Sequence, residues 1–177
     1  MSKARVLVSR CLLGERVRYN GKLKAAPFPL EFLDAFEVVP ICPEVLAGMS
    51  VPRPPINLYQ EQRTGVRAIT IHNQDVTQSL RAASQKFAMR SKPIHGAILK
   101  ARSPSCGLAN ALIYSQEQAP EANHPSGAVD GIAASELKLS YPHAVFCHEE
   151  YLSNPDGRED FALAVNKVRA VVNDANP

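Results

Sequence analysis

Four cysteines stand out in this sequence as side chains that could do chemistry: Cys11, Cys42, Cys106 and Cys147. The first three lie in loop-like segments with glycine or proline close by, and such residues let backbone N–H groups turn toward a bound sulfur or anion. Nearby arginines would favour the thiolate over the thiol, and the thiolate is the form that binds metal. These arginines are Arg10, Arg16, Arg18, Arg53 and Arg102.

Cys147 has a different setting. It follows Ala144, Val145 and Phe146 within a strand-like run and has no glycine beside it. Because an unpaired cysteine is among the most buried residue types, we predict that Cys147 only packs in the core.

Three thiols leave several kinds of chemistry open. A structural zinc site normally has four ligands, often in CxxC pairs, and this sequence has no such pair. Iron–sulfur clusters are also held by thiolates, so three cysteines would leave one iron open to substrate. A cysteine nucleophile at Cys106 would need a histidine, but His95 precedes the strand that leads to Cys106 and so lies at its far end. Spacing alone also permits three cysteines that merely pack.

The elements that must position these residues alternate along the chain. Asn57–Val66 and Gln116–Ser126 are polar and are predicted to be loops. Pro40 argues against a central position for its strand. Alternating strands and helices predict an α/β fold, a three-layer Rossmann-like domain with a mainly parallel sheet. The predicted strands are Arg5–Ser9, Val38–Ile41, Ala68–Ile71, Gly96–Lys100 and Ala144–Cys147, and the predicted helices are Asp75–Arg90, Val129–Leu139 and Glu159–Val172.

The cysteines hold a common place in this pattern. Each stands at the end of a predicted strand or a few residues beyond it. In open parallel sheets, ligands bind outside the carboxyl ends of the strands. We therefore expect cysteines far apart in sequence to converge in loops at one edge of the sheet.

Composition limits the classes of function. The 177 residues, 45% of them hydrophobic, suffice for a single domain over residues 1–177. The net charge of +3 suits a small polar ligand and lacks the basic stripe of a nucleic-acid binder, so no stable nucleic-acid binding is expected. With no secretory h-region and no apolar run near the ~18 residues of a membrane span, we expect a cytoplasmic protein without a membrane partner. Thiols stay reduced there, which disfavours disulfides.

Five blocks of sequence are more distinctive than the cysteine spacing. Through most of Val8–Leu137, these blocks resemble the DUF523 family, which includes the thiouracil desulfidases. The blocks are VSRCLLGERVRYNG at Val8–Gly21, ICPEVLAGMSVPRPP at Ile41–Pro55, DVT at Asp75–Thr77, ILKARSPSCG at Ile98–Gly107 and DGIAASEL at Asp130–Leu137.

The resemblance implies a cofactor, a reaction and a set of site residues. It implies a [4Fe-4S] cluster ligated by Cys11, Cys42 and Cys106, with one iron free of protein ligands. It also implies an enzyme that removes sulfur from a small thionated nucleobase such as 2-thiouracil. The sulfur passes to the open iron, and the products are the oxo base and sulfide. By position, Glu44 and Ser103 match residues implicated in that chemistry and are expected to be catalytic.

Elementary chemistry is compatible with these roles and also offers simpler ones. Glu44 could activate water as a general base, or it could be a helix first-turn carboxylate. Ser103 could hydrogen-bond the substrate or pass a proton, or it could only shape the turn before Pro104. Ser105 and the Gly107 N–H could donate to cluster sulfurs.

The sequence also departs from the family pattern. Arg10 precedes the first cysteine where the family commonly has a small residue, and Ile56-Asn57 follows PRPP in place of an acidic residue. Residues 148–177 are expected to form a C-terminal helical extension. Two other functions stay open: cluster-dependent insertion of sulfur into a nucleobase or RNA, and a non-enzymatic iron–sulfur or zinc-binding protein.

Overall fold

A computed structural model describes residues 2–61, 65–115 and 124–174. Short 3-10 helices supplement the regular elements, and one of them, Arg10–Leu13, carries Cys11. The strands of the described ranges are β1 (Ala4–Ser9), β2 (Phe36–Ile41), β3 (Ile56–Glu61), β4 (Gly65–Thr70), β5 (Gly96–Leu99), β6 (Ala111–Ser115), β7 (Gly127–Val129) and β8 (Val145–His148). The helices are α1 (Pro43–Leu46), α2 (Thr77–Arg90), α3 (Ile132–Ser140) and α4 (Pro155–Asp174).

The first sheet is parallel and has the order β2-β1-β5-β8. The central strands β1 and β5 are almost fully buried, as expected for strands covered on both faces. Pro40 lies in β2, at the edge of the sheet, where a missing N–H is tolerated. The predicted α/β fold with a mainly parallel sheet is confirmed, and four of the five predicted strands belong to this sheet.

Helices cover both faces of the parallel sheet. Successive side chains of a strand point to opposite faces. Val6 therefore packs with Phe161 and Val165 of α4, whereas Leu7 packs with Leu137 of α3. A Cβ on Gly96 would lie 2.5 Å from Cγ2 of Val165, so this glycine allows α4 to approach β5 closely. The three layers expected from the sequence are present.

A second sheet was not expected. Its order is β4-β3-β6-β7, in which β3 and β4 are antiparallel, β3 and β6 are parallel, and β6 and β7 are antiparallel. The prediction of a loop over Asn57–Val66 is therefore wrong, because this segment forms most of the β3–β4 hairpin, whose residues 62–64 lie outside the described ranges. Of the predicted loop Gln116–Ser126, residues 116–123 also lie outside them.

Helices α2 and α3 lie between the two sheets. Leu80 of α2 and Ile132 of α3 pack against Leu58 of the second sheet, whereas Leu137 of α3 packs against the first. The DVT block marks the start of α2, where Asp75 Oδ1 accepts the N–H of Thr77 at 2.9 Å. This block therefore has a structural role.

Helix α4 extends the predicted helix Glu159–Val172 toward the N-terminus. Its buried residues Phe161 and Val165 join the core of the parallel sheet. No helix of the described ranges is both long and apolar enough to cross a membrane. The organisation of residues 1–177 as one domain, with 148–177 as an extension, stays a prediction.

Candidate functional site

Three of the four cysteines converge at the carboxyl edge of the parallel sheet. Cys11 follows β1, Cys42 follows β2, and Cys106 lies in the loop after β5. All three line one cavity of about 360 Å³, and Glu44 and Ser103 line it as well. The structure thus brings together all five residues that the sequence analysis selected.

Cys11 is presented by a tight turn. The 3-10 helix Arg10–Leu13 begins directly after β1 and ends at Gly14, whose φ of +82° suits glycine. Leu12 is buried in the core and anchors this turn. Burial, followed by the neighbouring Cys42, raises the pKa of Cys11 to about 11, while the charge of Lys100 acts in the opposite direction.

Cys42 stands at the junction of β2 and the single turn of α1. Its backbone is extended, and Pro43 occupies the first helical position, where its fixed φ fits and no N–H is needed. The backbone N–H groups of Val45 and Glu44 hydrogen-bond the Cys42 sulfur and favour its thiolate. Burial is the larger effect and raises the pKa of this thiol overall.

Cys106 is the most deeply buried of the three thiols, and its pKa is raised chiefly by that burial. The nearby Cys11 and Cys42 raise it further, whereas the Ser9 hydroxyl lowers it by hydrogen bonding. Neighbouring thiolates thus disfavour ionisation of Cys11 and Cys106. A bound cation would reverse this balance, because metal ligation stabilises deprotonated sulfur.

Ser103 shapes the loop that carries Cys106. Its Oγ accepts the backbone N–H groups of Ser105 at 3.2 Å and Cys106 at 3.1 Å. Its carbonyl accepts the N–H of Gly107 at 2.8 Å. The turn-forming role considered for Ser103 is therefore present, and the Gly107 N–H has a partner other than a cluster sulfur, contrary to expectation.

The start of α3 holds this loop in place. The N–H of Ile132 donates to the Pro104 carbonyl, and the N–H of Ala134 donates to the Ser105 carbonyl, each at 3.0 Å. Loop carbonyls thus satisfy helix N–H groups that have no partner within the helix. A Cβ on Gly131 would lie 2.5 Å from the carbonyl carbon of Ser105, which gives the glycine of the DGIAASEL block a physical reason.

Glu44 lies in the first turn of α1 and is 9% exposed. Its Oε2 accepts Nε of Arg53 at 2.5 Å, and its Oε1 accepts the hydroxyl of Ser105 at 2.7 Å. The expected role of Ser105 as a donor to a cluster sulfur is therefore wrong, since its single hydroxyl hydrogen goes to Glu44. The buried Arg53 also donates to the carbonyls of Val17 at 2.8 Å and Ser50 at 3.2 Å. It thereby ties the segment after Cys11 to the segment after Cys42.

Two cationic side chains of this site, Arg53 and Lys100, make contacts that the sequence analysis did not predict. Arg53 was only one of several arginines near a cysteine, although its place in PRPP was a signal. Lys100 also lines the cavity and pairs with the buried Glu149. The contact of Lys100 with Glu149 joins distant positions that no local pattern links, whereas Arg53 and Glu44 lie nine residues apart within one sequence block.

The three thiols are candidate ligands for a thiolate-bound cluster. In the part of the chain that the structure describes, no three His, Cys, Asp or Glu side chains are placed to hold one metal ion. The ligand atoms of a zinc ion lie about 2.0–2.3 Å from the metal. The cysteines of a four-iron cluster bind different irons, so their sulfurs lie farther from one another. Cys11, Cys42 and Cys106 line one cavity, and Cys11 and Cys42 both raise the pKa of Cys106, so the three sulfurs could hold such a cluster.

A histidine-activated nucleophile does not fit the site. Among the described residues, no histidine lines the cavity. His95 precedes β5, and its Nδ1 accepts the N–H of Arg5 at 2.8 Å, at the opposite end of the sheet from Cys106. Cys147 lies in β8 and packs in the core with Leu152 and Phe161, as predicted.

Fold and cavity together define an α/β protein with three thiols at the carboxyl edge of a parallel sheet. Comparison with known families extends this description. A family described as 2-thiouracil desulfurase matches residues 6–150. The chain therefore belongs to the 2-thiouracil desulfurase family, a family of enzymes, and the predicted DUF523 membership is confirmed.

Two similar proteins illustrate this relationship. The uncharacterized protein YbbK of Bacillus subtilis (strain 168) is 35% identical over 109 residues, in a match that covers 58% of this chain and 72% of YbbK. The solved structure of the [4Fe-4S]-dependent thiouracil desulfidase TudS is 29% identical and superposes with a TM-score of 0.66. That match covers 93% of this chain and 99% of the TudS chain.

Proposed function

We propose that this protein removes sulfur from a thionated nucleobase of the 2-thiouracil type, giving the oxo base and sulfide. The observation that carries the proposal is the convergence of three thiols, Glu44 and Ser103 in one cavity. Membership in the 2-thiouracil desulfurase family and the likeness to TudS support it.

Cys11, Cys42 and Cys106 would hold a [4Fe-4S] cluster. When bound, the cluster supplies a soft iron site without a protein ligand, which suits a sulfur acceptor. Each thiol follows a different strand of one sheet, so the rigid sheet fixes their relative positions. The N–H groups aimed at Cys42 and the hydroxyl of Ser9 near Cys106 favour the thiolates that ligation requires.

Glu44 is proposed as the general base. Replacement of C=S by C=O consumes water, whose proton must be accepted, and a positioned carboxylate can do this. Arg53 and Ser105 each occupy one carboxylate oxygen and fix its orientation. Each oxygen keeps lone-pair capacity for a water molecule in the cavity. The same carboxyl group can return the proton to the departing sulfide or to the base.

Ser103 is proposed to bind the substrate. Its oxygen already accepts two backbone N–H groups, so its own hydrogen remains available to donate. Donation to a ring atom of the base would orient the C=S group, and the same hydroxyl could relay a proton. Both roles are compatible with the part that Ser103 plays in the turn.

The rest of the cavity suits a small planar ligand. Its volume of about 360 Å³ lies within the range of small-molecule sites. Val17, Pro55 and Ile56 supply apolar surface, and Tyr19 supplies an aromatic ring. Such walls can hold a pyrimidine ring while the polar groups fix its orientation.

The proposal is tested by adding 2-thiouracil to anaerobically reconstituted protein and measuring uracil and sulfide. We expect the two products in equal amounts, and both to form about 10²–10⁴-fold more slowly with Glu44→Gln protein that carries a full cluster. A cluster-loaded wild type that is inert to a panel of thionated bases would contradict the proposal and favour the non-enzymatic alternative. Appearance of thionated bases from oxo bases and sulfide would favour sulfur insertion.

A further inference from the structure

A buried ion pair forms part of the wall of the thiol cavity. Lys100 directly follows β5 and Glu149 directly follows β8, and these neighbouring strands place both residues at the carboxyl edge of the sheet. The side chain of Lys100 is 14% exposed and that of Glu149 is 2% exposed. Lys100 lines the same cavity as Cys11, Cys42 and Cys106.

Glu149 fixes the position of the Lys100 ammonium group. One carboxylate oxygen contacts Nζ of Lys100, and the other accepts the N–H of Ala101 at 2.6 Å. The Lys100 ammonium also donates to the Ala101 carbonyl at 2.9 Å. The backbone N–H of Lys100 donates to the Ser9 hydroxyl oxygen. The same hydroxyl group also hydrogen-bonds the Cys106 sulfur. The charge of a normally flexible side chain is thus held at one place.

Stability alone is a poor reason for such a pair. Removing two charges from water is costly, and buried ion pairs can often be replaced by apolar residues without loss of stability. A role in the cavity is a better reason for keeping the pair, because Lys100, its positive member, lines the cavity. Lys100 lowers the pKa of Cys11, and Glu149 raises it by a smaller effect, so the pair as a whole acts on Cys11 as a positive charge.

The adjacent ion pair provides an internal comparison. Arg102 and Glu150 come from the same two segments and also contact one another. Their side chains are 55% and 42% exposed, so water screens their charges. Two neighbouring pairs of the same charge type therefore differ mainly in burial, and only the buried one can act strongly on a nearby group.

We infer that Lys100, positioned by Glu149, is a fixed cation of the cavity wall that offsets part of the negative charge of the cluster and its three thiolates. This inference rests on the proposed function. Reduction adds an electron to a site that already carries negative charge, and a fixed ammonium in a low-dielectric wall stabilises that added charge. Net charge around a cluster is one of the factors that set its potential. Lys100 should therefore raise the reduction potential and help retain the iron.

The test measures the reduction midpoint of the reconstituted cluster and the rate of iron loss to a chelator, both without oxygen. We expect Lys100→Met to shift the midpoint to a more negative potential and to speed iron loss by roughly tenfold, the lower end of second-shell effects on metal sites. Lys100→Arg, which keeps the charge, should restore both values most of the way. Arg102→Met removes an equal charge from the same cavity wall, but a more exposed and better screened one, and should change both values much less than Lys100→Met.

A second variant guards against misfolding, because Lys100→Met leaves Glu149 buried without its partner. The double variant Lys100→Met/Glu149→Gln has no unpaired charge. We expect its reduction midpoint to shift in the same negative direction, but by less than in Lys100→Met. A wild-type midpoint in both variants, with full iron content, would overturn this inference and leave the proposed function standing. A wild-type protein that takes up no cluster would overturn both.

Discussion

Cys106 and Cys147 are both buried cysteines of the same sheet system, yet their surroundings share almost nothing. Cys106 lies in a loop beyond β5, near two other thiols, the Ser9 hydroxyl and a network of polar groups. Cys147 lies within β8 and packs among Leu152, Phe161 and Val165. Burial raises the pKa of both thiols, that of Cys147 to about 12.

The difference shows that burial and pKa alone do not mark a functional thiol. What separates the two regions is the backbone. The loop of Cys106 leaves the sheet at its carboxyl edge and is held open by Ser103 and by the start of α3. The strand of Cys147 keeps its backbone in the sheet ladder and places the side chain in a cluster of apolar residues. Four substitutions test this comparison, in order of decreasing expected effect.

Cys106→Ser should have the largest effect. The hydroxyl is close in size to the thiol but is a poor ligand for a soft iron site, so the fold should persist while the cluster is lost. We expect desulfidase activity to vanish and bound iron to fall far below that of the wild type. Circular dichroism checks the fold, and an iron assay checks the cluster. Wild-type iron content in Cys106→Ser would show that Cys106 is not a cluster ligand and would contradict the proposed difference from Cys147.

Glu44→Gln should abolish most activity without removing the cluster. Glutamine keeps the size and can still interact with Arg53 and Ser105, but it cannot accept a proton from water. A lost general base costs about 10²–10⁴-fold in rate, so kcat should fall by that factor. The visible absorption of the cluster should match the wild type. An unchanged kcat would remove Glu44 from the mechanism, whatever the state of the cluster.

Gly131→Ala should act on the loop of Cys106 from a distance. The added Cβ would meet the Ser105 backbone at 2.5 Å, so the loop or the start of α3 must shift. Overpacking of this kind costs about 1–3 kcal/mol, seen as a lower free energy of unfolding. The shifted loop should also weaken iron retention. Gly127→Ala is the matched control, since its nearest contact would be an ordinary 3.7 Å. Equal effects of both substitutions would contradict this account of Gly131.

Cys147→Ala should have the smallest effect on function. It removes one sulfur from an apolar contact set and should lower the free energy of unfolding by about 1 kcal/mol. Iron content, cluster absorption and desulfidase activity should all equal those of the wild type. A denaturant titration measures the stability change. Loss of iron in Cys147→Ala would mean that the two cysteine environments are not functionally distinct.

The convergence of the three thiols could be predicted from the sequence because each follows a short, strand-forming run. The parallel sheet was predictable for the same reason, since its buried central strands are nearly continuous apolar segments. The second sheet was missed because β3 buries only Ile56 and Leu58 fully and otherwise reads as polar. A strand whose other four positions are exposed or half-buried resembles a loop when its partner strands are not known.

The polar network of the site could not be predicted because its contacts link distant positions. Glu44 meets Ser105 across 61 positions of the chain, and Lys100 meets Glu149 across 49. Such pairs form only after strands, loops and α3 have been placed in three dimensions. The sequence blocks contain several of these residues but do not indicate which partners they contact.

The most direct test of the central claim is an anaerobic crystal structure of the reconstituted protein with the anomalous signal of iron. We predict one cluster in the cavity, bonded to the sulfurs of Cys11, Cys42 and Cys106, with one iron free of protein ligands. Iron held at any other place, or a single ion bound by a different set of side chains, would contradict the account.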